Sequence, residues 1–224
     1  MNSQNENSVK VPVHFDPVLA LPALLEKFRL EQADKVALIE GTQSRTWSES
    51  IERIYRMANG LAALGIGHGD HVAMLSPNSM DYSEMFAATL ISGACAVPMQ
   101  GMITDQSLNL MLRDCNAKAF IVASDMEEMA GVFLRDCAQI VPGGLIGFDF
   151  SNDQFRDLDR WLIAQSDATP DVQLAGDDEF NIIYSSGTTG TPKGIVHSHR
   201  TRQVLATGLM SLGITSEAIT LVAT

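Results

Sequence analysis

Two textures alternate along the chain: stretches in which apolar residues return every three or four positions, and short blocks in which they run together. An apolar-periodic segment opens at Asp16-Pro17 and continues through Leu30, and Val36 to Glu40 reads as a short strand. Thr46-Trp47-Ser48-Glu49 fits a capping box, in which the Thr46 hydroxyl accepts from the Glu49 amide and Glu49 reaches back. The helix that follows places Trp47, Ile51, Ile54, Tyr55, Ala58, Leu61 and Ala62 on one stripe, and Gly65 suits its carboxyl-terminal cap. His71 to Ser76 is a buried strand, and Pro77-Asn78-Ser79 turns into a helix over Met80 to Ile91. Gly93 ends that helix and Ala94 to Pro98 forms the next strand. A helix over Ser107 to Asp114 leads to a strand at Ala119 to Ala123, and one over Met126 to Asp136 leads to a strand near Leu145 to Phe148. Phe155, Leu158, Trp161 and Leu162 predict a helix starting near Ser151. Helix, short link and apolar strand repeat, which is the pattern of an α/β domain with a mainly parallel sheet flanked by helices.

Residues 1–12 are polar and read as a flexible tail, leaving 13–224 as the folded part. Gln165 to Glu179 holds Asp167, Asp171, Asp177, Asp178 and Glu179 without any Lys or Arg, and reads as a solvated connection. With 46% apolar and 19% charged residues, the 224-residue chain can bury a sizeable core. Fifteen basic against 27 acidic side chains give a formal charge of −12. Nucleic-acid binders draw affinity from clustered Lys and Arg, so this balance excludes nucleic acid as a main partner and disfavours an anionic membrane surface. Met85 to Thr104 carries no charge, but Thr89, Ser92, Gly93, Pro98, Gln100 and Gly101 break it into a buried helix, a stop and a buried strand, not a transmembrane segment. Met1 to Lys10 has no apolar core of a secretory signal, so a cytoplasmic setting is expected. Cys95, Cys115 and Cys137 are odd in number and lack CxxC spacing, which suits small core residues better than a disulfide scaffold or a zinc site.

The chemistry concentrates late. A strand at Phe180 to Tyr184 runs into Ser185-Ser186-Gly187-Thr188-Thr189-Gly190-Thr191-Pro192-Lys193-Gly194, after which Ile195-Val196 is apolar and His197-Ser198-His199-Arg200 opens a helical stretch through Leu212. Glycines expose backbone amides and permit positive φ, hydroxyls bind phosphate oxygens and Mg²⁺, and one lysine supplies a cation. No acid occurs from Phe180 to Ser216, the local balance that a triphosphate requires. The order is not a Walker loop, because Lys193 follows Pro192 and precedes Gly194, so the hydroxyl expected after the lysine is missing. No GxGxxG marks a dinucleotide fold. His197 and His199 lack a third ligand, so a packing or helix-start role is expected for them and no metal-binding side chain is assigned.

Tyr184 through Gly194 resembles the phosphate-loop signature of the adenylate-forming (AMP-binding) superfamily, which includes acyl-CoA synthetases, luciferases and peptide-synthetase adenylation domains. Thr46-Trp47-Ser48-Glu49, Leu64-Gly65-Ile66 with Gly69-Asp70-His71-Val72-Ala73, Pro77-Asn78-Ser79, and Gly93-Ala94-Cys95-Ala96-Val97-Pro98 resemble its upstream landmarks, so the similarity runs from about Phe15 to Thr224. The resemblance implies an acid–thiol ligase that uses ATP and Mg²⁺ to convert a carboxylic acid to an acyl-adenylate, then passes it to coenzyme A. It implies phosphate contacts from Ser185, Ser186, Gly187, Thr188, Thr189 and Gly190, and neutralisation of the leaving pyrophosphate by Lys193. The family's later nucleotide motif, hinge and carboxyl-terminal lysine are not found, so the chain is expected to be the amino-terminal portion of an incomplete domain and inactive by itself. A truncated non-catalytic module that binds a nucleotide or a partner, and an adenylation domain that delivers to a carrier-protein thiol, are the alternatives.

Overall fold

The computed structural model describes residues 21–99, 104–131, 139–185, 192–211 and 217–222. In chain order the elements are α1 (Leu21–Glu31), β1 (Val36–Glu40), β2 (Gln43–Thr46), α2 (Trp47–Ala63), β3 (His71–Leu75), α3 (Met80–Ile91), β4 (Cys95–Met99), α4 (Asp105–Asp114), β5 (Ala119–Ala123), α5 (Glu127–Gly131), β6 (Leu145–Phe148), β7 (Arg156–Asp157), α6 (Leu158–Leu162), β8 (Glu179–Ser185), β9 (Lys193–Ser198) and α7 (His199–Ser211). Seven strands form one sheet in the order β7-β6-β5-β3-β4-β8-β9, and β1 and β2 pair antiparallel as a separate hairpin. Every junction of the large sheet is parallel except β8–β9. The expected α/β class with a mainly parallel sheet is therefore observed.

Alternation along the central strands divides the core into two layers. Val72, Met74, Ala119 and Ile121 face α1, α2, α3 and α6, whereas Ala73, Leu75, Phe120 and Val122 face α4 and α5. A strand covered on both sides needs a continuous apolar run, which is what β3 and β5 carry. Three caps set the helix phases. Thr46 and Glu49 make the predicted capping box on α2, Ser79 accepts from the Tyr82 amide at the start of α3, and Thr104 accepts from Ser107 at the start of α4. Gly65, with φ of 75°, turns the chain out of α2 in the left-handed region. The charge-free stretch from Met85 resolves into the end of α3 and β4, and no helix among the described residues is long and apolar enough to cross a membrane.

Several expectations need correction. The helix expected from Ser151 begins only at Leu158. Asn152 Oδ1 accepts from the amides of Gln154 and Phe155, which closes a turn there, and Asp157 then caps α6 through the Arg160 amide. Of the helix expected over Met126 to Asp136, α5 covers Glu127–Gly131, and residues 132–138, including Cys137, lie outside the described residues. The acidic connection is more anchored than expected: Asp167 pairs with Arg56, Asp177 with Arg200, Asp178 with His68, and Glu179 with His71. Tail residues 1–12 lie outside the described residues.

Packing of α2 on α3 encloses a charged network. The Glu84 side chain is fully buried, and its Oε2 accepts from Arg45 Nη1 at 2.7 Å and Arg53 Nε at 2.9 Å. The same guanidiniums reach Asp81 Oδ1 at 2.8 Å, and Arg53 also donates to Asp159 on α6 at 2.9 Å. This network joins β2, α2, α3 and α6. Glu84→Ala takes the buried acceptor from two partly buried guanidiniums, which keep Asp81, and should cost up to about 3 kcal/mol. Urea unfolding should show that loss, with a smaller one for Glu84→Gln; equal stability of wild type and Glu84→Ala would remove the network from the account of the fold.

Candidate functional site

Strand β8 emerges from the acidic connection and runs parallel beside β4, with Ala96 opposite Asn181. Strand β9 returns antiparallel, in a register that pairs Ile182 with Val196, Ile183 with Ile195, Tyr184 with Gly194 and Ser185 with Lys193. The two strands that flank the hydroxyl- and glycine-rich segment therefore form an antiparallel hairpin. Ser185 and Lys193 sit opposite each other at its mouth, and both are exposed. Ser186, Gly187, Thr188, Thr189 and Gly190 lie outside the described residues. Of the loop expected over Ser185 to Gly194, Ser185, Lys193 and Gly194 belong instead to paired strands. The helix expected to open at His197 begins two residues later, since His197 and Ser198 complete β9.

Gly194 is small for reasons of space. A Cβ at this position would come within 2.9 Å of Ile182 Cγ2 and 3.3 Å of the Tyr184 ring. Tyr184 in turn fastens the end of β8. Its phenol donates to the Asp114 carboxylate at 2.5 Å and lies 3.4 Å from the Met111 carbonyl oxygen, both on α4. Burial, and then the Asp114 bond, hold the phenol in its protonated form well above its ordinary range.

The other end of the hairpin is fixed by charge and ring contacts. The His199 ring packs edge-on against Phe180 at 5.1 Å, and its backbone amide donates to the Asp178 carbonyl oxygen. Burial, opposed by the nearby Asp178, lowers the tendency of His199 to take a proton. Arg202 donates twice to Asn181 Oδ1, at 3.1 and 3.0 Å, and lies 5.9 Å from the Phe180 ring centre. His199 thus packs at a helix start, as its sequence context suggests, while Arg202 is a strut between α7 and β8.

A cleft of about 800 Å³ opens elsewhere, at the carboxyl ends of β3, β5 and β6. Glu40, Asp81, Asp125, Asp149 and Asp159 line it with Arg45, so its charge opposes a polyphosphate. Burial, and then the neighbouring carboxylates, raise the Asp149 carboxyl above its usual range. Cleft size therefore points to the wrong place for anion binding. The hairpin end bearing Lys193, in a stretch with no acid from Phe180 to Ser216, is the better candidate, and neither Ser185 nor Lys193 lines the cleft.

The family described as AMP-binding enzyme matches residues 25–220. The long-chain-fatty-acid–CoA ligase FadD13 of Mycobacterium tuberculosis is 36% identical over 144 residues, covering 64% of this chain and 27% of the relative. A feruloyl-CoA synthase of Amycolatopsis is 32% identical over 163 residues, covering 73% of this chain and 30% of the relative. Among solved structures, the inhibitor-bound amino-terminal domain of FACL13 from Mycobacterium tuberculosis superposes with a TM-score of 0.72 at 28% identity, covering 85% of this chain and 47% of that one. The chain spans about a third or less of the length of these two relatives.

The Tyr184 anchor has a measurable signature. Tyr184→Phe removes a partly exposed, charge-assisted bond and should lower the unfolding free energy by about 1 kcal/mol at neutral pH. The folded phenol holds its proton above the value of about 10 that it has when unfolded. The stabilisation is then complete below pH ~10 and declines as pH rises further, because the unfolded chain ionises first. Urea midpoints taken across that range should show a shallower alkaline decline in Tyr184→Phe than in wild type. An identical decline would detach Tyr184 from it.

Proposed function

The chain belongs to the AMP-binding enzyme family, and from that premise we propose that it is the amino-terminal part of an AMP-forming acid–thiol ligase. In this reading a carboxylate attacks the α-phosphorus of ATP, giving an acyl-adenylate and pyrophosphate, and coenzyme A then takes the acyl group. The observation that carries the proposal is the hairpin mouth: Ser185 and Lys193 are paired across it, at the ends of a segment rich in glycine and hydroxyl groups and free of acids. The relatives' names, a fatty-acid–CoA ligase and a feruloyl-CoA synthase, support a carboxylic acid as substrate and coenzyme A as acceptor.

Ser185, Ser186, Gly187, Thr188, Thr189 and Gly190 hold the β- and γ-phosphates through amides and hydroxyls, and Mg²⁺ would offset the phosphate charge there. Lys193 neutralises charge on the departing pyrophosphate. Bringing an anion to a polyanion makes neutralisation and positioning the main sources of rate, and the attacking carboxylate needs no general base. The formal charge of −12 supports small-molecule partners over nucleic acid.

Two measurements test the reading. In the longer enzyme that carries this sequence, Lys193→Ala should slow acid-dependent exchange of pyrophosphate into ATP by about a hundredfold, the scale of one lost electrostatic contact in the transition state, with little change in affinity for the acid. Unchanged exchange would take Lys193 out of the mechanism. The 224-residue chain alone, supplied with ATP, Mg²⁺, coenzyme A and a panel of carboxylic acids, should release no AMP above background. Robust thioester formation would show that the rest of a ligase is dispensable.

A further inference from the structure

At the opposite edge of the sheet from the hairpin mouth, the first residues of three strands converge: His71 of β3, Cys95 of β4 and Glu179 of β8. One ligand atom from each lies within 4.8 Å of the other two. Sequence spacing gives no hint of this, because β4 lies between β3 and β8 only in the folded sheet.

The hydrogen-bond geometry around His71 is unusual for a simple packing residue. Nδ1 faces the backbone carbonyl oxygen of Cys115, and Nε2 lies 2.8 Å from Glu179 Oε2. A carbonyl oxygen only accepts, so Nδ1 carries the hydrogen on that side. Nε2 then points its remaining site at a carboxylate, and two acceptors do not approach to 2.8 Å without a positive centre between them. A proton on Nε2 is that centre at this separation, and a metal ion takes its place only once the pair opens. The Nδ1–H to carbonyl bond is also the arrangement that orients an imidazole for coordination through Nε2.

We propose that His71 Nε2, Cys95 Sγ and Glu179 Oε2 form a binding site for a zinc-like divalent transition-metal ion, with water as the fourth ligand. Imidazole, thiolate and carboxylate together select zinc-like ions over Mg²⁺, which takes oxygen donors. Tetrahedral coordination at the usual bond lengths separates ligand atoms by about 3.3–3.7 Å. The imidazole–carboxylate pair therefore opens slightly and the widest separation closes by about 1 Å. Glu179 has the freedom to make that adjustment, because its side chain is 43% exposed, and His71 is 20% exposed, so an ion enters from solvent. Cys95 is buried, and burial followed by the Glu179 charge pushes its thiol up to about 12. Binding accordingly displaces the Sγ proton and the Nε2 proton to solvent, as the sulfur becomes a thiolate ligand and the imidazole a neutral one. The site lies roughly 20 Å along β8 from Ser185, at about 3.3 Å per residue, so its role is to fasten the amino end of β8 to β3 and β4. It is independent of the ligase reading.

The test uses the whole chain, stripped of metal and kept reduced by a phosphine, with Co²⁺ as the spectroscopic probe and Zn²⁺ as competitor. The expected result is a thiolate-to-cobalt charge-transfer band that saturates at one ion per chain and is abolished by Zn²⁺. Cys95→Ser should lose the band, while Cys115→Ser and Cys137→Ser keep it. Glu179→Gln, which keeps the side chain's size at a partly exposed position, should weaken Zn²⁺ binding about tenfold or more. No band in the wild-type chain would overturn the proposal. So would a band that persists in Cys95→Ser, or a Zn²⁺ affinity unchanged in Glu179→Gln. If circular dichroism shows Cys95→Ser to be unfolded, Glu179→Gln and His71→Gln decide between the same two outcomes.

Discussion

The attachment of β8 to the parallel sheet governs everything this chain presents at its surface. Its ladder to β4 is brief, with Ala96 opposite Asn181, whereas β9 pairs with it from Glu179 to Ser185. Pro98 in β4 offers no amide hydrogen to extend the ladder. Side chains supply what the backbone does not: Glu179 to His71 at the start of the strand, Arg202 to Asn181 near its start, and Tyr184 to Asp114 at its end. A strand held this way has its ends fixed separately, so the orientation of the hairpin mouth depends on a few polar contacts with α4 and α7.

Charge is partitioned with equal consequence. Acids line the cleft at the ends of β3, β5 and β6 and run along the connection before β8. Within the hairpin the acid is Glu179, at the end away from Lys193. The sheet's carboxyl edge therefore carries acids on one flank and Lys193 on the other, an uneven distribution within a chain of net negative charge.

How much of this the sequence reveals depends on the range of the interaction responsible. Met80–Ile91, Ala119–Ala123 and Leu145–Phe148 appear where apolar pattern and caps place them, because a buried run bounded by a cap is local information. Strand β2 is hidden, since Gln43-Ser44-Arg45-Thr46 has no apolar alternation and is a strand only because β1 lies beside it. The delayed start of α6 follows from Asn152, a side-chain cap within a stretch whose apolar spacing suits a helix. Lys193 and Ser185 are legible as chemistry from their order in the chain, but their pairing across a hairpin is not, because Ile195 and Val196 look equally like the lead-in to a helix. The contacts of Glu84 with Arg45 and Arg53, and of His71 with Glu179, join residues far apart in sequence and carry no local pattern at all.

Strand β9 ends the sheet order, with no strand on its outer side among the described residues. Ile195 and Val196 on it, and Val204 and Leu205 on α7, are about half exposed. Such an edge carries unpaired backbone donors and acceptors next to apolar surface. Solution behaviour then becomes a question of concentration: in dilute samples water covers this flank, whereas in crowded ones any extended peptide, including another copy, competes for it.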